Sequence, residues 1–105
     1  MTARQRLPNR RASTNFDIEC QGLRFAVTST IEGGELREVF ITNHRAGSGA
    51  GIMASDSAVI CSIALQFGVP VEVIRKALMR DSSGRASGPL GVALDAIAAE
   101  LEATP

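Results

Sequence analysis

The sequence has 105 residues, of which 11 are basic, 11 acidic and 45% hydrophobic. The length fits one domain, which buries roughly 65% of its unfolded surface without needing a disulfide or metal staple. Zero net charge excludes a protein that coats nucleic acid through its overall field, though not one with a local basic patch. In chain order, residues 1–13 hold Arg4, Arg6, Arg10 and Arg11 with no acidic residue. They read as a basic arm, either solvated or in contact with an acidic partner or phosphates. Residues 14–102 form the domain.

From Thr14 to Thr42 the pattern repeats every second residue. Phe16, Ile18 and Cys20 alternate with Asp17 and Glu19, and Leu23, Phe25 and Val27 alternate with Arg24 and Thr28. Gln21-Gly22 and Gly33-Gly34 are hairpin signals. The third strand, Leu36–Thr42, sets Val39 and Ile41 on one face and Leu36 and Phe40 on the other, so it is expected to be covered on both sides. The period changes from Gly51. Ala54, Ala58, Cys61 and Leu65 make a helical stripe that Ile60, Ile63 and Phe67 widen almost all the way round, which predicts a helix buried on most sides. Ser55 and Asp56 are placed for capping near its start. Gly68 ends it and Pro70 opens a second helix, with Ile74 and Leu78 inward and Glu72 paired to Lys76. Asp81–Gly88 is a loop, with Asp81 as a cap. Pro89 opens a last helix whose Leu90, Leu94, Ile97 and Leu101 share a face. The expected fold is α+β: a three-stranded antiparallel meander, then three helices packed on one face.

The stretch that most resembles a site is NHRAGSGAG, Asn43–Gly51. Strand, glycine-rich loop and helix in that order form a geometry that binds anions, because backbone N–H groups and the helix dipole point at the loop. Gly47, Gly49 and Gly51 would let backbone approach a phosphate and Arg45 could add charge; Ser48 belongs to the same candidate site, as does His44, a possible acid or base or simply a surface residue. The loop lacks the GK[ST] of a P-loop, and its glycine spacing is not that of the dinucleotide fingerprint. A plain strand-to-helix turn needs the same glycines. Arg80 and Arg85 flank the second loop and are a second possible phosphate contact.

Catalytic chemistry is poorly supplied. His44 is the only histidine, and no carboxylate sits at a telling spacing from Ser48, so no hydrolytic triad and no catalytic residue is assigned. Cys20 and Cys61 lie in apolar patterns without a CxxC and read as buried reduced thiols. With His44 they are too few for structural zinc, and no metal or cofactor is expected. No 18-residue apolar stretch stands out and no apolar segment follows the basic N-terminus. A cytoplasmic protein with no membrane partner is expected.

Four stretches together carry a resemblance: LPNRR (Leu7–Arg11), EVFITNHRAGS (Glu38–Ser48), DSAVICSIALQFGVPVEVIRKALMR (Asp56–Arg80) and SGPLGVALD (Ser87–Asp95). The chain resembles the TSCPD domain, found at the C-terminus of adenosylcobalamin-dependent ribonucleotide reductases and in short stand-alone proteins. The cysteine-bearing motif that names the family is not present in this sequence. The resemblance implies a link to deoxyribonucleotide metabolism. This chain offers neither the barrel nor the redox cysteines that ribonucleotide reduction needs. The expectation is therefore a non-catalytic accessory module that binds a nucleotide, a nucleic-acid phosphate or a reductase chain. The alternative is a structural protein whose role is homo-oligomerisation.

Overall fold

A computed structural model describes residues 3–4, 13–45 and 47–103. Three strands come first, β1 (Ser13–Cys20), β2 (Leu23–Glu32) and β3 (Glu35–Asn43), followed by α1 (Gly49–Gln66), α2 (Val71–Ala77) and α3 (Pro89–Ala103). The sheet is antiparallel in the order β1-β2-β3. Both hairpins close with two residues, Gln21-Gly22 and Gly33-Gly34, all at positive φ. That is the requirement of the turn that matches strand twist. The α+β expectation holds in element order and type. Of the basic arm, only Ala3 and Arg4 are described; Arg6, Arg10 and Arg11 lie outside the described residues.

Cross-strand register decides what is inside. Val27 pairs with Phe16 and with Ile41, Phe25 with Ile18, and Ser29 with Val39. These side chains share one face, and α3 covers it with Leu90, Ala93, Leu94 and Ile97. Phe25, Val27, Val39, Ile41 and Leu94 are fully buried. The opposite face carries Asp17, Glu19, Arg24, Thr28 and Phe40. The placing of Leu36 on the second face with Phe40 is corrected by the register of β3. Thr30 pairs with Glu38 but Ile31 pairs with Leu36, so Arg37 is one extra residue in β3. This bulge swings Leu36 onto the core face. Phe40 is left as the strand's exposed aromatic residue, 39% accessible.

The long helix α1 lies along the free edge of β3. The Ser62 hydroxyl donates to the Val39 carbonyl at 2.8 Å and accepts from the Val39 N–H at 2.9 Å. Gln66 Nε2 donates to the Arg37 carbonyl at 3.4 Å, while its Oε1 accepts from Arg4 Nε at 2.6 Å. Side chains thus occupy edge groups that a fourth strand would otherwise take. Most residues turned inward are small: Ala54, Ala58, Cys61 and Ser62 are buried, joined by Leu65 and Gln66 near the end of the helix. Small side chains let the helix come close to the strand.

The expectation of a helix buried on most sides is therefore corrected. Large apolar residues face outward: Ile52 is 53% exposed, Met53 74% and Ile60 68%, with Val59 and Ile63 also exposed. By length and composition alone α1 is also long and apolar enough to cross a membrane. This corrects the reading that no such apolar stretch exists. Its inner side is nonetheless bound to β3 by hydrogen bonds from polar side chains, as in the core helix of a folded domain.

Further local readings change. Helix α1 starts at Gly49 with Ser48 as its N-cap, so Ser55 and Asp56 lie inside the helix and do not cap it. Glu72 pairs with Arg75 at 2.8 Å, not with Lys76. Ile74 and Leu78 are partly buried against the core, and Leu90, Leu94, Ile97 and Leu101 share the α3 face as the spacing requires.

Replacing Ser62 with alanine removes both bonds to Val39 and leaves a buried N–H and C=O without partners. We expect Ser62→Ala to cost about 1–3 kcal/mol in urea unfolding. A loss within error of zero would mean that the edge contact does not hold α1 in place.

Candidate functional site

Asn43 organises the glycine turn. Its Oδ1 accepts from the Arg45 N–H at 2.9 Å and from the Ser48 hydroxyl at 3.4 Å, and its Nδ2 donates to the Arg24 carbonyl at 3.0 Å. Ser48 in turn accepts from the Gly51 N–H at 3.0 Å. This capping satisfies one of the donors that every helix start leaves open. The three glycines then separate by physical reason. Gly47 adopts φ +76° and makes the turn. A Cβ on Gly51 would lie 2.8 Å from Ser48 Oγ and 2.9 Å from Asn43 Cβ, so Gly51 lets the helix start against the strand end. Gly49 has neither reason: its φ is ordinary and nothing lies within 4 Å of where a Cβ would be.

The predicted residues His44, Arg45, Gly47, Ser48, Gly49 and Gly51 thus come together in one turn. His44, Arg45, Gly47 and Gly49 are exposed. Beside them is a shallow depression of about 250 Å³ lined by Asn43, Arg45, Gly47, Ile52, Ser55 and Asp56. Arg45 and Asp56 bring opposite charges to its wall, so the depression carries no excess positive charge. Among the described residues no buried side-chain nitrogen or oxygen lacks a partner, and no cluster of metal-ligating side chains is present.

Arg80 and Arg85 belong to a different loop. That loop is fastened to the end of β1, where Cys20 Sγ and Gln21 Nε2 both donate to the Ser87 carbonyl, at 3.4 and 3.2 Å. Cys20 pairs with Leu23, and Phe25 pairs with Asn43. Both loops therefore sit at one end of the sheet, on its two outer strands, roughly 10 Å apart by strand spacing. Arg80 is engaged by Asp95. Its Nη1 and Nη2 reach the two carboxylate oxygens of Asp95, each at 2.8 Å, and Arg75 Nε adds a third contact at 3.0 Å. As a phosphate contact, Arg80 would have to give up this bidentate pair. The Arg80 hydrogen bonds hold the Asp95 carboxyl below the usual range against the opposing effect of burial, and Arg75 adds to this. Asp81 closes the loop by accepting from Ser83 and from the Arg85 N–H; it is a cap of the loop rather than of a helix. The Ser83 hydroxyl bond is the main cause of its lowered pKa.

Both cysteines are free and buried. Burial pushes the Cys61 thiol up to about 11 and raises Cys20 as well. Neither is a ready nucleophile at neutral pH.

The family model described as the TSCPD domain matches residues 2–104. The chain belongs to the TSCPD domain family. Comparison with curated proteins gives no match, and comparison with solved structures gives none. In this TSCPD domain, then, function has to be argued from the chain's own surfaces. The sequence pointed to the glycine turn. It placed the inward stripe of α1 correctly at Ala54, Ala58, Cys61 and Leu65, but expected the large residues beside it to be buried as well.

Two tests follow from the geometry. We expect Gly51→Ala to destabilise the TSCPD domain by about 1–3 kcal/mol through overpacking. Gly49→Ala should be neutral or stabilising by up to about 1 kcal/mol. Equal effects in thermal melts would contradict the division between the two glycines. The second test concerns Asp95. A carboxyl held low in the folded state adds stability above the unfolded value, and that stability fades as pH falls through the folded one. Stability should drop between pH 7 and about 3, across the ordinary carboxylate range. Asp95→Asn should be less stable at pH 7, and its loss on acidification should be smaller.

Proposed function

We propose that this TSCPD domain is a non-catalytic accessory module of deoxyribonucleotide metabolism. It is related to ribonucleoside-diphosphate reductase, acts in the cytoplasm and works by docking to another protein chain. The observation that carries this reading is the outer side of α1, where Ile52, Met53, Val59, Ile60 and Ile63 are exposed on a single helix. Monomeric proteins rarely leave a contiguous apolar patch larger than a few hundred Å². The buried thiols and the single histidine support a binding role over thiol or acid–base catalysis.

A second reading keeps the glycine turn as a contact for a nucleotide or nucleic-acid phosphate. Gly49 favours it, being a glycine that neither the backbone conformation nor the packing requires, next to exposed Arg45 and His44. The Asp56 carboxylate in the same depression weighs against it.

One experiment separates the two. The chain is mixed with an adenosylcobalamin-dependent ribonucleotide reductase and followed by size-exclusion chromatography, and in parallel is titrated with ribo- and deoxyribonucleotides by calorimetry at low salt. Docking predicts a complex with the reductase or with itself, weakened at least tenfold by Met53→Asp and untouched by Arg45→Ala. Nucleotide heat that disappears in Arg45→Ala, with no protein complex of either kind, would replace docking by the second reading.

A further inference from the structure

The outer side of α1 has an order of its own. Met53, Asp56, Ile60, Ile63 and Phe67 follow at alternating steps of three and four. This is the spacing by which one helix seats against another. Ala54, Ala58 and Leu65 point to the core, and Ser62 and Gln66 point to the edge of β3. Turning further round the helix in the same sense leads to Val59, Ile52 and Ile63. These lie on the side of the sheet where Phe40 is exposed. The apolar surface therefore continues from the helix to the strand.

Asp56 is the only charged residue in α1. Its position distinguishes two ways of pairing this surface with a second copy. In a parallel pair the two Asp56 carboxylates meet. In an antiparallel pair with the two-fold axis at Ile60, Met53 lies opposite Phe67 of the second copy and Asp56 opposite Ala64. The two carboxylates are then eight residues of helix rise apart, roughly 12 Å. That exceeds the Debye length of about 8 Å at physiological salt. Antiparallel pairing also sets the two helix dipoles head to tail.

The area reaches the lower bound of a specific interface, about 1,000 Å² over both partners. The exposed fractions of Phe40, Ile52, Met53, Val59, Ile60 and Ile63 together equal about three whole side chains. This is on the order of 500 Å² per copy, most of the roughly 800 Å² that each partner contributes to a stable interface. A lipid surface fits less well, since α1 has no lysine or arginine to meet anionic headgroups.

We propose that two copies of this chain pair through the outer sides of α1, antiparallel, with Ile60 on the two-fold axis. The proposal rests on the reading of this surface as a docking surface and names its occupant.

Sedimentation equilibrium with Ile60→Cys and Ile60→Asp tests it. Both native cysteines are buried, so the thiol introduced by Ile60→Cys is the one accessible to oxidant. The expected results are a wild-type dimer, a covalent dimer of Ile60→Cys under mild copper-phenanthroline oxidation, and an at least tenfold weaker dimer for Ile60→Asp with an unchanged circular dichroism spectrum. If Ile60→Asp fails to fold, the cross-link still decides. A dimer that neither cross-links through the introduced thiol nor weakens in Ile60→Asp overturns the proposal by placing the contact elsewhere. A wild-type monomer at every concentration overturns it too, and leaves the docking reading to the reductase mixture alone. Monomer there as well would remove both.

Discussion

The fold turns on how the free edge of β3 is closed. A three-stranded sheet has two open edges, and each exposes backbone donors and acceptors that must be paired or hydrated. Here Ser62 serves the Val39 N–H and C=O with one hydroxyl, and Gln66 serves the Arg37 carbonyl. Two polar residues on a largely apolar helix thus do the work of a neighbouring strand. Their satisfaction explains why polar groups can be buried in the middle of the structure at little cost.

Close approach to that edge sets the character of the whole helix. Over most of its length α1 meets β3 through small side chains, with Gly51, Ala54, Ala58, Cys61 and Ser62 at inner positions and the larger Leu65 and Gln66 only near its end. The other large residues have nowhere to go but outward. The same constraint fixes the turn before the helix. Gly51 must lack a side chain because the first turn starts against Asn43, and Asn43 must reach back to hold Arg45 and Ser48. Edge closure, glycine turn and exposed apolar side are therefore consequences of one helix lying very close to one strand.

Much of the architecture was legible from residue order alone. The hairpins at Gln21-Gly22 and Gly33-Gly34 were readable because two-residue turns have strong chemical preferences, and α3 was readable because its stripe faces the sheet directly. The bulge at Arg37 was not, since an extra residue in a strand looks like any other residue, yet it moves Leu36 to the other face. The start of α1 was hidden because Ser48-Gly49-Ala50-Gly51 reads as loop by composition. The Arg80–Asp95 pair was hidden because 15 residues separate the partners, beyond the reach of local helical spacing. Most telling is α1, where periodicity located the inner stripe correctly and the size of Ile60 and Ile63 misled about how far round the helix burial extends.

The arrangement also has a consequence for the order of assembly. β2, β3 and α1 are consecutive in the chain, and Val39 and Ser62 are only 23 residues apart. The contact that fastens the last loop to β1, between Cys20 and Ser87, spans 67 residues. Short loops close at smaller entropic cost than long ones. The middle of the chain can therefore form a hairpin with its edge already sealed before α3 arrives. A growing chain built in this way exposes its sticky strand edge only briefly, and α3 is the last part to join.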